Sequence, residues 1–598
     1  MSLVPAVSST AERPTPVFSL LNERHVNMMS FSQCIGIGLF LQNGRTIFLA
    51  GPGLATLAYF LAGTVMWSSA ACLGEMTALF PVKGPIFELP RRFLDESFGY
   101  AAGWITWFSW IVLIAAELVA ITHIFQFKYP PEQLLADGYP EATLEWMPRI
   151  SSTVIVMIFL VVLLLVNLLP VRHFGQMEYF FGVIKLCFII TMIILNTILH
   201  SWDRAKRGHF WTYNAPYSFG SQNLTLTNGH VIEGATGKLG GMWEAMLTCL
   251  FGMIGFETVA ITAAENRDLR TEETVKLATR KISLRIIMLY CLATFTVSLN
   301  VPYTHPLIQD HAVISLGHGQ NSAFVISTVL NHLHVWPYFI NCFIIFSAST
   351  AGANGIYNAS RTLHALASVQ DAWPQWGFIQ AVRTRLERTY YGVPLGSVVF
   401  SWLFGLLGFL GSDPTSARIL GRMVRCVVIS MLIVYAIIGL SFLEFYQTLK
   451  VAASGENETI DDEDEATTRQ RYDRNCPQYP YRSHGQWLRA LYAFVACSLF
   501  ILFNGWRTFV SPMHTADFVA CYIPILLFSV ICMAYQIKLN GWNPLNWRRR
   551  ASRELQNPPP QFATSSPRRG HIAFKDPENL FTGANLGALV RWIWVWMK

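Results

Sequence analysis

Two short runs hold the residues in this sequence whose types and spacing could do chemistry. Ser32-Gln33-Cys34-Ile35-Gly36-Ile37-Gly38-Leu39-Phe40 sets two glycines one residue apart in the middle of an apolar stretch, with Gln42 and Asn43 close behind. Phe251-Gly252-Met253-Ile254-Gly255-Phe256-Glu257 repeats the device in a second stretch. Glycine loosens helical pairing, and in lipid the freed N–H and C=O groups persist only where they line a cavity or hold something. A half-helix that begins at such a break offers unpaired N–H groups and a positive dipole end, which suits a carboxylate. One that ends there offers carbonyls, which suit an ammonium. A zwitterionic amino acid matches both. The competing explanation is close packing of neighbouring helices through small residues, against which the matched placement of the two runs weighs.

Charged side chains within apolar stretches cost about 2.5–3.5 kcal/mol each on insertion scales, so each is a functional candidate. A lysine such as Lys185 can release and rebind a proton, or can sit permanently paired with a carboxylate. Glu117 and Glu257 are candidates for that partner or for a proton relay. Glu75 and Glu265 lie near the ends of their stretches, where capping or gate ion pairs are expected. Arg418, Arg422 and Arg425 follow i, i+4, i+7 and share one helix face. Arg425, about 10 Å deeper than Arg418, is a candidate contact for an anionic substrate group, although arginines snorkelling to headgroups give the same pattern.

The elements that must position these residues are membrane helices. Of 598 residues, 52% are hydrophobic and 14% charged, against about 25% charged in ordinary globular domains. Twelve apolar stretches near the roughly 20 residues that cross a bilayer fall at 28–49, 53–79, 99–127, 150–169, 178–200, 241–265, 284–302, 335–358, 394–411, 418–443, 485–508 and 513–537. The class is therefore an all-α polytopic membrane protein. An even number of spans puts both termini on one side. Lys and Arg place that side in the cytoplasm: loop 266–283 carries Arg267, Arg270, Lys276, Arg280 and Lys281, whereas loop 303–334 carries neither residue type. Segment 201–240, with Arg204, Lys206, Arg207 and Lys238, runs against the trend.

The net charge of +7 is spread over many loops, so nucleic acid is not an expected partner; membrane lipid is, and nothing in the sequence names a protein partner. Ten of the eleven cysteines lie in apolar stretches without paired spacing, which predicts buried thiols. Residues 1–27 form a polar cytoplasmic tail without the pattern of a secretory signal. Loop 451–484 carries the acidic run Asp461-Asp462-Glu463-Asp464-Glu465, expected to be solvated. Tail 538–598 ends in a Trp-rich segment suited to an interface. Asn223-Leu224-Thr225 is a glycosylation sequon on the external side. No nucleophile elbow, metal-ligand cluster, P-loop or dinucleotide fingerprint is present, so neither an enzyme nor a cofactor is expected.

Further runs stand in order along the chain: Arg24-His25 with Ile35-Gly36-Ile37-Gly38-Leu39-Phe40, Gly51-Pro52, Gly74-Glu75-Met76 with Phe80-Pro81-Val82, Trp107-Phe108-Ser109-Trp110 with Glu117-Leu118, Ile184-Lys185, Gly255-Phe256-Glu257 and Ser360-Arg361-Thr362-Leu363. In their order and spacing the chain resembles the fungal amino-acid permeases of the amino acid-polyamine-organocation superfamily. The resemblance implies a LeuT-like five-plus-five inverted repeat, helices 1–5 at about 28–200 and helices 6–10 at about 241–443. Helices 11–12 follow at about 485–537. It also implies alternating access and proton-coupled uptake of amino acids at the plasma membrane, the proton being the coupling ion. A related amine such as choline, gamma-aminobutyrate or a polyamine, or a permease-like sensor that binds without transporting, is the alternative. Carried over by position, the backbone at Gly36, Ile37 and Gly38 takes the substrate carboxylate. Carbonyls near Cys34, Ile35, Phe251 and Ile254, with Gly252 and Gly255 shaping the break, take the amine. Phe251 stands at an aromatic gate, and Lys185 at a lysine that replaces a bound sodium ion in some relatives. Three departures bear on substrate choice. Ser32-Gln33 replace Gly-Gly, Ile37 replaces a hydroxyl residue, and Asp268-Leu269 replace Asn-Pro.

Overall fold

Apolar runs of this length, with their backbone groups paired internally, become helices. A computed structural model describes residues 23–80, 82–141, 143–146, 150–203, 208–212, 217–225, 231–261, 283–309, 322–390, 392–412, 416–454, 474, 479, 482–509 and 515–542. The acidic run in loop 451–484, Glu265, the Asp268-Leu269 pair, the tail before residue 23 and the Trp-rich end of the chain lie outside the described residues.

In chain order the helices are α1 (Glu23–Cys34), α2 (Ile37–Phe40), α3 (Gln42–Leu79), α4 (Pro85–Phe93), α5 (Glu96–Phe125), α6 (Pro131–Ala136), α7 (Ser152–Asn167), α8 (Val171–Trp202) and α9 (Gly234–Phe251). They continue with α10 (Thr258–Ile261), α11 (Ser283–Ser298), α12 (Ala323–Leu330), α13 (Trp336–Ala367), α14 (Gly377–Glu387), α15 (Leu395–Leu403), α16 (Ser416–Ser454), α17 (Gln486–Leu502) and α18 (Thr515–Asn540). A short antiparallel pair, β1 (Leu224–Thr225) and β2 (Val231–Ile232), sets Leu224 opposite Ile232.

Among the described residues eight helices are long and apolar enough to cross a membrane: α3, α5, α8, α13, α15 with its 3₁₀ extension to Ser412, α16, α17 with its extension, and α18. The shorter apolar helices α7 and α11 and the interrupted segments around residues 35 and 252 complete the twelve expected spans. Spans one and two are joined inside α3, where Gly51 has φ 77° and precedes Pro52. A Cβ at Gly51 would lie 2.4 Å from the Gly220 carbonyl oxygen, so both its left-handed φ and its close approach demand glycine. The interior is built on α5 and α16, whose apolar stretches are 83% and 89% buried within the protein; α18 buries 11% of its own and turns its apolar surface to lipid.

Between spans two and three, α4 carries Glu88, which accepts from Arg91 at 2.7 and 2.9 Å and from Arg92 at 2.9 Å. Glu75, fully buried near the end of span two, accepts from Tyr479 Oη at 2.9 Å and Ser483 N at 2.8 Å and pairs with Arg474. Three described residues that lie between spans ten and eleven in the chain, Arg474, Tyr479 and Ser483, thus surround this carboxylate.

Candidate functional site

Both glycine runs interrupt their helices. α1 ends at Cys34, Gly36 is extended (φ −136°, ψ −152°), and α2 starts at Ile37. α9 ends at Phe251, residues 252–257 run as turns with Gly255 at φ 131°, and α10 starts at Thr258. The breaks meet. A Cβ on Gly38 would lie 2.4 Å from Gly252 Cα and 3.1 Å from Phe251 Cδ1, and one on Gly255 would lie 2.7 Å from Gln33 Cγ. Cys34, Ile35, Gly36, Ile37, Gly38, Phe251, Gly252, Ile254 and Gly255 are all buried, and the structure sets Gly38 against Gly252 and Phe251 and Gly255 against Gln33 and Cys34.

The carbonyls of this set are not equivalent. Cys34 O accepts from Tyr290 Oη at 2.6 Å and Gly36 N at 3.1 Å. Ile35 O accepts from Lys185 Nζ and Ser347 Oγ, both at 2.8 Å. A carbonyl has two lone pairs, so protein donors fill both acceptors that the sequence reading offers to an amine at the first break. In the second break, among the described residues and the bonds outside the helices, Phe251 O accepts only Ile254 N, at 3.3 Å. The first turn of α2 leaves its N–H groups without intrahelical acceptors, and Gly38 of that turn packs against Gly252 and Phe251.

Lys185 on α8 is 0% exposed. It donates to Ile35 O and, at 2.7 Å, to Ser32 O, so its ammonium holds the unwound carbonyls as a small cation would. Among the described residues no carboxylate stands within ion-pair distance of it. Glu117 on α5 presents Oε1 3.1 Å from where a Cβ of Gly36 would stand, while its buried Oε2 has no hydrogen-bond partner among the described residues. Glu257 accepts from Gly255 N at 3.1 Å and from Tyr435 Oη on α16, and Ser30 Oγ donates to Gly255 O at 3.0 Å. Glu257 thus braces the second break, and Glu117 faces the first.

Arg425 lies apart from this centre in its bonding. It pairs at 2.8 Å with Glu244 of α9, itself 0% exposed, so its guanidinium already holds a protein carboxylate. Arg422 pairs with Asp517 at 2.6 Å and Arg418 is exposed. Asn223 is exposed just ahead of β1. Among the described residues no group of His, Cys, Asp and Glu could hold a metal ion.

Sequence reasoning missed four partners. Tyr290, Ser347 and Tyr435 come from remote helices, and no local pattern announces them. Glu178 carries a readable signal: it stands seven residues before Lys185, two helical turns away on the same face. It is fully buried and accepts from Asn354 Nδ2 at 2.7 Å. Its place at the edge of an apolar run disguised it as a terminal charge.

Residues 25–459 match the family model described as amino acid permease. A lysine/arginine permease of Candida albicans is 27% identical over 525 residues, 87% of this chain and 81% of that protein. A proline-specific permease of Emericella nidulans is 26% identical over 537 residues, 89% of this chain and 86% of that protein. An SPS-sensor component of Saccharomyces cerevisiae is 27% identical over 580 residues, 88% of this chain and 63% of that protein. With the family match covering well over half of a chain whose two interrupted helices meet at their glycines, this protein belongs to the amino acid permease family, and is an integral, multi-span helical membrane protein.

Proposed function

We propose that the protein is a secondary active transporter that takes up amino acids by alternating access, driven by proton influx, with the substrate held between the two helix breaks. The observation that carries this reading is the abutment of Gly38 on Gly252, with Lys185 on the carbonyls of the first break. The substrate carboxylate takes the N–H groups at Ile37 and Gly38, where a helix start supplies donors and the positive end of the dipole. The amine takes the second break, at the carbonyls of Phe251 and Ile254, because those of Cys34 and Ile35 are occupied. Phe251 covers the bound ligand from beside Gly38.

Ile37 offers no hydroxyl, so the carboxylate is held by backbone alone and a related amine remains within reach of the same pocket. Lys185 and Glu117 carry the coupling proton: both are buried, both lie at the first break, and Glu117 has an oxygen free to take a proton. The surplus of basic residues in loop 266–283 over loop 303–334 supports cytoplasmic termini, and uptake supports residence in the plasma membrane. The likeness to an SPS-sensor component supports a second reading, a permease-like sensor that binds without moving its ligand.

Uptake of labelled neutral, basic and acidic amino acids, gamma-aminobutyrate and choline into fungal cells lacking their own permeases separates the two. Uptake of one class that collapses with a protonophore supports the transporter. Surface expression and ligand binding with no uptake of any compound overturns it in favour of the sensor.

A further inference from the structure

Resting on the reading of proton-driven uptake, we propose that Glu178 is the residue through which the proton carried by Lys185 leaves toward the cytoplasm, and that departure of α1 from α8 opens this step. Glu178 is 0% exposed; one oxygen accepts from Asn354 Nδ2 at 2.7 Å, and the Ser32 side chain of α1 stands against the carboxylate. A buried carboxylate this lightly paired is costly unless the site uses it. Lys185 stands about 10 Å further along the same helix face, toward the breaks. Among the described residues, the titratable groups in electrostatic reach of Lys185 are Glu178 on its own helix, Glu117 from α5 and Cys34 from the end of α1. Lys185 is in turn the charged group in reach of Glu178; α13 contributes the uncharged Asn354 and α1 the uncharged Ser32.

Gly182 lies between the two on the same face, four residues after Glu178 and three before Lys185. A Cβ there would stand 3.2 Å from Met28 O and 3.4 Å from Met28 Cβ, so α1 rests on α8 directly over the gap. The same helix and its unwound end supply both acceptors of the Lys185 ammonium, Ser32 O and Ile35 O. When α1 moves off, two events coincide: Lys185 loses the acceptors that stabilise its charge, and the face carrying Glu178 is uncovered. The freed ammonium, on its flexible stem, gives one proton to the Glu178 carboxylate, leaving a neutral amine and a neutral carboxylic acid. Glu178 passes that proton to cytoplasmic water and returns to the carboxylate. With α1 back in place, the Lys185 amine takes its next proton from Glu117, which is reloaded from outside. One proton crosses per cycle, and no step occurs while α1 stays packed.

The test uses the full chain in liposomes, as parent, Glu178→Gln and Glu178→Asp, with the best substrate of the uptake panel. Three quantities are read: exchange of labelled for unlabelled substrate at equal pH, accumulation driven by an inwardly directed proton gradient, and substrate-induced acidification of the lumen. The expectation is that Glu178→Gln exchanges substrate as the parent does but loses accumulation and acidification by about 100-fold, the low end of what a proton-transferring side chain contributes. Glu178→Asp recovers both in part. Glu178→Gln with parental accumulation and acidification overturns the assignment, as does loss of exchange in step with the other two, which marks a merely structural carboxylate. If Glu178→Gln does not reach the membrane, Asn354→Ala, which keeps the carboxylate and removes its donor, is expected to change the dependence of accumulation on lumenal pH while leaving exchange intact; an unchanged dependence overturns the assignment. A parent that exchanges substrate with no acidification refutes proton coupling itself, a failure distinct from that of Glu178.

Discussion

Alanine at Gly38 adds a single methyl group where the two breaks touch. Its Cβ would stand 2.4 Å from Gly252 Cα, 2.8 Å from Gly252 N and 3.1 Å from Phe251 Cδ1, against about 3.5–4.0 Å for relaxed carbon contacts. The first two neighbours are backbone, so no rotamer change relieves them, and the breaks must part by about 1 Å. Overpacking of this kind costs about 1–3 kcal/mol, which is about 5- to 150-fold if it is expressed in the transport step. Gly36→Ala is milder: its Cβ would meet the Glu117 carboxylate at 3.1 Å and Ala351 Cβ at 3.3 Å, and a side-chain end can yield. Gly421→Ala, with nothing within 4 Å, is the control. Initial uptake rates, normalised to surface protein, are expected to fall steeply for Gly38→Ala, less for Gly36→Ala, and not at all for Gly421→Ala. Parental rates in Gly38→Ala would refute a site built on the contact of the two breaks.

Three further outcomes follow from named contacts. Lys185→Met leaves Ser32 O short of a donor and removes one from Ile35 O, at about 1–3 kcal/mol for each buried group left unpaired; a lower Tm in detergent and loss of gradient-driven uptake are expected, and an unchanged Tm contradicts the assigned bonds. Arg425→Gln removes the ion-pair partner of the buried Glu244 carboxylate and leaves it to the charges of Arg507 and Arg45, at a cost below that of a fully stranded buried charge, about 3–5 kcal/mol; it lowers uptake of acidic and neutral substrates alike and is partly rescued by Glu244→Gln in the double variant, whereas a loss confined to acidic substrates would make Arg425 a substrate contact. Outside the spans, burial raises the Asp137 carboxyl, but the hydrogen bonds from His305 and Tyr129 outweigh it and hold the group below its ordinary value. Asp137 therefore stabilises the fold fully above about pH 4, its unfolded range, and loses that contribution as pH falls through the lowered folded value; Asp137→Asn should flatten the acid limb of Tm against pH, and an unaltered limb rules the contribution out.

Apolar length located the long spans, and the paired glycines located both breaks, because their matched placement in two stretches weighs against simple close packing of helices. The bonding of the break was not legible. Which carbonyls stay open depends on Tyr290, Ser347 and Lys185 arriving from helices 150 to 312 residues away, and no periodicity encodes such meetings. The i, i+4, i+7 arginines were readable as one face, but Arg425 meets Glu244 181 residues distant, so its pairing emerged only from the fold. Glu178 could have been found by extending the Lys185 face two turns. The joining of spans one and two in α3 through Gly51-Pro52 matches the turn that the resemblance placed there.

The most direct test of the account is the initial rate of labelled amino-acid uptake by the purified protein in liposomes, with and without an inwardly directed proton gradient. The expected result is uptake of one substrate class that the gradient drives above equilibrium and a protonophore abolishes. Tight binding of the same substrate with no uptake under either condition would contradict it.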